Sequence, residues 1–171
     1  RADSKYNSAM DVLADLKNNP KSGIFGLNSM ANNDHFNILR PAKQQGIDYT
    51  KIEAVVIPGG NAYMSQLLGG HVPIVSVSMS ETVAQVTAGK IRMLSIASEA
   101  RIDHFPNVPT WRDLGIDVVI PHWRGVFAPP DMPKVAFDYW NKKLAEMVKT
   151  KTWKDILIRY QLFDSCHPGG S

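Results

Sequence analysis

Apolar residues Ala9, Val12, Leu13 and Leu16 recur at i, i+3, i+4 and i+7, and Ser8 with Asp11 supplies a capping signal ahead of them. The spacing predicts a helix that closes near Asn19-Pro20. Ser22 to Leu27 then reads as a short buried strand, Asn28 to Asn33 as a small-polar loop, and Asp34 to Gln45 as a helix in which Pro41 removes a donor and is expected to kink or split the segment. Ile52 to Ile57 predicts a second strand, and Pro58-Gly59-Gly60-Asn61 turns it into a helix bearing Tyr63, Met64, Leu67 and Leu68 that stops at Gly69-Gly70. Val72 to Val77 predicts a third strand. Ser80 is expected to cap a helix through Val83 and Val86 that ends at Gly89, and Ile91 to Ala97 predicts a fourth strand. Strands alternating with helices at this spacing imply an α/β fold, a mainly parallel sheet flanked by helices on both faces.

The texture changes after Ser98. Phe105-Pro106-Asn107-Val108-Pro109 is a proline-broken connection, a short helix is expected to end at Gly115, and Val118 to Pro130 reads as an extended crossover. Two amphipathic helices follow. The first carries Phe137, Trp140, Leu144, Met147 and Val148, the second Trp153, Ile156, Leu157 and Tyr160 on one face, a stripe better suited to packing than to a cofactor.

At 171 residues the chain has room for one domain, or one domain plus a fragment. Its 44% hydrophobic and 20% charged composition excludes disordered, collagenous and disulfide-scaffold classes. The net charge of +3 is spread along the sequence. The densest basic stretch, Lys142 to Lys154, also holds Glu146 and Asp155 and reads as a solvated helix face, so no nucleic-acid partner is expected. Apolar runs such as Val72 to Val77 are far shorter than the ~20 residues that span a bilayer. The single cysteine, Cys166, has no internal disulfide partner. The opening Arg1-Ala2-Asp3-Ser4 has neither an initiator Met nor an apolar leader, so a targeting segment is expected to have been removed or left out.

The five histidines, His35, His71, His104, His122 and His167, never occur as HxxxH or HExxH, and no CxxC, GxSxG, GxxxxGK[ST] or GxGxxG is present. Neither a metal nor a cofactor is expected. What remains is a binding signature. The strand-to-helix loop containing Asn28, Ser29, Met30, Ala31 and Asn32 should present unpaired amides and a positive helix-dipole end, with Asp34 and His35 in the first helical turn. The loop Gly59-Gly60-Asn61 should open on the same edge, as should Ser78 after the third strand. Each of these residues has a purely structural reading as well, in caps and turns.

Four segments, LLGGHV (Leu67 to Val72), SETVAQVTAGKIRMLSIASEAR (Ser80 to Arg101), FPNVPTWRDLGIDVV (Phe105 to Val119) and WRGVFAPPDMPK (Trp123 to Lys134), together resemble the substrate-binding receptors of tripartite tricarboxylate transporters, the Bug-type solute receptors. Their order and spacing carry the likeness, above all AGK-R-L-I before PNVPT and WRG-F-AP-P after it. The resemblance implies a periplasmic binding protein of the second structural type, with two α/β lobes closing on a small carboxylate or amino-acid-like solute and delivering it to membrane permease subunits. It implies a receptor in the periplasm, not an enzyme. On that pattern residues 1–117 correspond to the second ligand-binding lobe and residues 118–171 to the crossover and C-terminal helices belonging to a first lobe.

The ligand loops depart from the family. A small-Gly-x-Gly-Ser run is usual in the first, where this chain has Ser29, Ala31 and Asn32, and His35 matches. The second loop keeps only Gly59 and Gly60 of a Pro-Tyr-Lys-Gly-Gly pattern, and Pro73 stands where an aspartate is common. Two other readings share the α/β scaffold. An effector-sensing domain of a transcription regulator would carry a helix-turn-helix module upstream, and an α/β enzyme fragment would need a titratable pair in its cleft.

Overall fold

The computed structural model describes residues 1–59, 62–121, 124–160, 162 and 164. Cys166, His122 and His167 lie outside the described residues. Two compact units emerge, Arg1–His122 and Trp123–Ser171.

In the first unit, helix α1 spans Ala9–Asn18 and begins with a reciprocal cap: the Asp11 N–H donates to Ser8 Oγ at 3.2 Å, and the Ser8 N–H donates to Asp11 Oδ2 at 2.9 Å. Ala9, Val12, Leu13 and Leu16 are its buried face, as their spacing predicts. Strand β1 (Ile24–Leu27) follows, then helix α2 (Asn33–Gln44), strand β2 (Glu53–Val56), helix α3 (Ala62–Leu68) and the two-residue strand β3 (Ile74–Val75). Pro41 sits buried in the last turn of α2, where the helix continues for three more residues.

The strands form one parallel sheet in the order β2-β1-β3, with Leu27 opposite Val56, Phe25 opposite Ile74 and Gly26 opposite Val75. Alternation along β1 divides the core. Phe25 and Leu27 join α1, Ile38 and Ala42 of α2, and Trp111, Ile116 and Val118 in one buried cluster. Tyr63, Met64 and Leu67 of α3 form a second cluster with Val72 and Ile91, against which Ile57 and Val75 pack. Gly26 points toward that second cluster, where an added Cβ would lie 3.1 Å from Ile57 Cδ1 and from Val75 Cγ1. Helices α2 and α3 thus lie on opposite faces of the sheet, α2 with Phe25 and Leu27 and α3 on the side of Gly26.

Four local expectations are corrected. Ile91 to Ala97 is not a strand; only an isolated bridge joins Ile96 to Thr110. Arg92 donates to the carbonyls of Tyr6 and Ala2, at 2.7 and 2.9 Å, and the peptide groups of Ile96 and Ala97 pair instead with Pro109, Trp111 and Ile120. Ser80 does not cap a helix: it lies inside a 3₁₀ turn, Met79–Glu81, that runs straight into helix α4 (Val83–Thr87), so no extended N-cap residue intervenes. The segment before Gly115 makes turns rather than a helix. Thr110 and Asp113 cap each other there, and Gly115 closes it at φ +77° with its N–H on Arg112 O. The third strand is shorter than its apolar run, because Pro73 lacks an N–H and Ser76 already leads into the next loop.

One polar face of α2 anchors the segment that leaves this unit. Gln44 donates to Asp117 O at 2.9 Å, Arg40 to Val119 O at 3.5 Å and Asn33 to Pro121 O at 3.1 Å. Residues 33, 37, 40 and 44 follow helical spacing, so a single stripe runs the length of the helix.

The second unit contains helices α5 (Lys134–Met147) and α6 (Lys151–Tyr160). Phe137, Leu144, Val148, Trp153 and Leu157 are half-buried, whereas Trp140, Met147, Ile156 and Tyr160 of the same predicted stripes are exposed. Neither helix has a fully buried residue.

Gly26 generates a test. Replacement by Val forces branched methyls against Ile57 and Val75 and is expected to destabilise the protein by about 1–3 kcal/mol, with Ala causing a smaller loss. Urea unfolding measures both. Unchanged midpoints would mean that α3 does not pack closely on β1.

Candidate functional site

Because the three strands are parallel, the loops that follow them all leave at one edge. Ile57 donates its N–H to Leu27 O at 2.8 Å and Ser76 to Gly26 O at 3.2 Å, so the connections beginning near Asn28, Pro58 and Val77 start side by side. The central strand feeds α2, and the chain crosses to opposite sides of β1 from there. That is the switch point at which open α/β sheets form a crevice.

The turn into α2 is built tightly. Asn32 is the N-cap: its Oδ1 accepts from the His35 N–H at 3.0 Å, and its Nδ2 donates to Asp34 Oδ2 at 3.1 Å. The Ala31 N–H donates to His35 Nδ1 at 3.2 Å, so the two side chains brace the turn from both directions. Ala31 holds φ +56°, a left-handed conformation suited to glycine. This explains physically why a glycine place in the family pattern falls on this residue. The N–H groups of Asn32, Asn33 and Asp34 have no acceptor within their own helix, by the geometry of any helix start.

His35 is half-buried, and desolvation holds its imidazole below the usual histidine range. With Nδ1 accepting from the backbone, the neutral ring carries its proton on Nε2, a directed donor. Asn28, Ser29, Met30 and Ala31 are exposed on the loop, Met30 at 51%. Gly59 turns at φ +94° with open space around it, and its carbonyl accepts from the Ala62 N–H at 3.1 Å. Ser78 Oγ lies 3.2 Å from Ser80 Oγ. Gly60 and Asn61 lie outside the described residues. Asn28, Ser29, Met30, Ala31, Asn32, His35, Gly59 and Ser78 are thus brought to one edge of the sheet, with Asn32 and His35 engaged in the cap.

The motif search misses four residues here. Asn37 ties α2 to the end of β3 and to Trp111: its Nδ2 donates to Ser76 Oγ at 3.2 Å, and its Oδ1 accepts from Trp111 Nε1 at 2.7 Å. Its signal was the polar stripe 33, 37, 40, 44 within an otherwise amphipathic helix. Ser76 itself is buried. Tyr63, read from sequence as part of an apolar face, is 2% exposed, yet its hydroxyl has no hydrogen-bond partner among the described residues. Burial raises the phenol pKa, and Glu81, towards which the hydroxyl can turn its proton although no hydrogen bond of normal geometry is formed, raises it further, followed by the charge of Asp34. Glu81 stands exposed in the turn after β3.

The family model described as the tripartite tricarboxylate transporter family receptor matches residues 1–161. The chain belongs to this family. A UPF0065 protein of the gbd 5' region in Cupriavidus necator is 34% identical over 131 residues, 75% of this chain and 38% of its own length. Protein BugT of Bordetella pertussis is 27% identical over 148 residues, 86% of this chain and 44% of its own. Among solved structures, a TctC solute-binding protein from Polaromonas superposes with TM-score 0.68 at 28% identity, covering 94% of this chain and 54% of that one. MatC from Rhodopseudomonas palustris, solved with bound malate, has TM-score 0.75 at 18% identity and the same coverages, a likeness of fold. The chain therefore spans about half the length of the proteins it matches, or less.

Two predictions concern the turn. Ala31→Gly is expected to raise stability by roughly 0.5–1 kcal/mol, the strain of a left-handed L-residue outweighing glycine's extra unfolded-state freedom. Denaturant titration reads it, and a loss would contradict the left-handed turn. His35 has a lowered native pKa, so the unfolded chain binds protons more readily, and stability falls as pH drops from about 6.5 through that lowered value. His35→Gln keeps an acceptor for Ala31 but removes the titration. Melts from pH 7.5 to 5 should be flatter in this variant, and parallel curves would refute the assignment.

Proposed function

We propose that this chain is the ligand-binding part of an extracytoplasmic solute receptor that captures a small carboxylate at the shared edge of its parallel sheet and serves a tripartite tricarboxylate-type transporter. The carrying observation is the first turn of α2, which combines amides lacking an intrahelical acceptor with an imidazole whose Nδ1 accepts from Ala31, leaving Nε2 as its donor nitrogen. An anion placed there gains directed hydrogen bonds from groups already fixed by the Asn32 cap. Asn28, Ser29 and Met30 line the approach from β1, with Gly59 from β2 and Ser78 from β3.

Family membership supports the same reading, since these receptors work in the periplasm, and relatives of the same fold were solved with malate and with adipate. We assign residues 1–117 to the second lobe of such a receptor and residues 118–171 to its crossover and C-terminal helices. The polar stripe of α2, which holds carbonyls 117, 119 and 121, then gives a route by which capture at the start of α2 biases the connection out of the lobe.

Calorimetry of the full chain against malate, adipate, citrate, amino acids and aromatic acids tests the proposal. Ser29→Trp fills the loop without touching the cap. It is expected to weaken binding at least tenfold, about 1.4 kcal/mol, while Tm moves by no more than about 2 °C. No binding across the panel by folded protein, or equal losses of affinity and stability, would overturn the proposal.

A further inference from the structure

The strand ends that make the rim are not held equally well. β2 pairs with β1 through four residues, whereas β3 pairs through two, and Pro73 ahead of it has no N–H. Past Val75 the Ser76 N–H reaches Gly26 O at 3.2 Å, and the loop that carries Ser78 to the rim then departs. Its backbone anchor is short.

A side chain from α2 supplies what the short strand lacks. Asn37, one turn on from Asn33, donates from Nδ2 to Ser76 Oγ at 3.2 Å, and its Oδ1 accepts from Trp111 Nε1 at 2.7 Å. Both partners are buried, Ser76 at 6% and Trp111 at 7% exposure. The second bond fixes the sense of the first. An indole N–H can only donate, so the amide oxygen must face Trp111, the amide NH2 must face Ser76, and the serine oxygen must accept. Turning the amide over would set donor against donor. Trp111 is itself held, its N–H donating to Ile96 O at 3.1 Å and its carbonyl accepting from the Ile116 N–H at 2.9 Å.

We infer that Asn37 is a positioning residue for solute capture: oriented by Trp111 and acting through Ser76, it sets the loop after β3 against the first turn of α2. The inference rests on the carboxylate-receptor reading above. Binding groups must be held to within ~0.5 Å of their productive places, so a loop released from Asn37 loses affinity although every rim residue is still present. The tether also works in reverse. A solute that draws on the Ser78 loop shifts Ser76, then the Asn37 amide, and so the hydrogen bond at Trp111 Nε1.

Calorimetry and NMR of the indole N–H signals of the full chain test this, using the acid that binds most tightly among malate, adipate, citrate, amino acids and aromatic acids. The Trp111 signal is assigned by its loss in Trp111→Phe. Ser76→Ala and Asn37→Leu are each expected to weaken binding about fivefold, and the double variant no further, because both cut one tether. Saturating acid should shift the Trp111 signal in the unsubstituted protein but not in Ser76→Ala, where the bond from Trp111 to Asn37 is still made. A merely structural Asn37 would lower Tm and leave the Ser76→Ala affinity and the Trp111 shift alone. Unchanged affinity in Ser76→Ala, additive losses in the double variant, or a Trp111 shift that survives Ser76→Ala would overturn the inference while the receptor reading stands. If no acid of the panel binds folded, unsubstituted protein, both fall.

Discussion

Parallel hydrogen bonding on both sides of β1 is the constraint from which the candidate site follows. Four residues, Ile24–Leu27, pair with β2 through Leu27 and Val56 and with β3 through Gly26 and Val75, and parallel pairing obliges all three strands to end together. The loops after them then share one rim whatever their sequences. Gly26 makes this geometry close-packed: with no side chain of its own, it lets Ile57 and Val75 approach from neighbouring segments and seats α3 on the sheet. A bulkier residue there would push apart the very strands whose ends define the rim.

Capping chemistry converts that rim into a surface with direction. Asn32 and His35 satisfy each other's neighbourhood by donating and accepting within one turn, which fixes the imidazole tautomer and leaves Nε2–H pointing away from the cap. The left-handed Ala31 is the strained element in this arrangement, held because the cap and the helix on either side determine it. Asn37 and the rest of the polar stripe extend the order down the helix, tying the β3 loop, Trp111 and the segment 117–121 to the same rigid element. Helix α2 is thus both the seat of the rim and the mooring of the chain that leaves it.

Legibility differed from element to element for identifiable reasons. Helix α1 could be read from its capping box and four apolar positions, because each of those signals is local. β1, β2 and α2 were legible within two or three residues. The run Ile91 to Ala97 reads as a strand by its apolar residues, of which Ile91 is buried and the rest are half-buried, but Arg92 and the backbone of Ile96 and Ala97 find partners in the amino-terminal segment and in 109–120 rather than in the sheet. Ser80 was misread as a cap since nothing local distinguishes a serine before a helix from one inside a preceding 3₁₀ turn. In the second unit, helical spacing located α5 and α6, but the same spacing left Trp140, Met147, Ile156 and Tyr160 exposed.

By itself the sequence determined the α/β alternation, the strand-to-helix loops after the first two strands, and the receptor family, since periodicity, capping residues and ordered segments are encoded along the chain. Only the tertiary structure decided which side chains meet: that His35 braces Ala31, that Asn37 bridges Ser76 to Trp111, and that Tyr63 is buried with Val72 and Ile91. Those meetings depend on strand order and on which face of the sheet each helix covers, which bring together residues dozens of positions apart, and no local pattern specifies a distance of that kind.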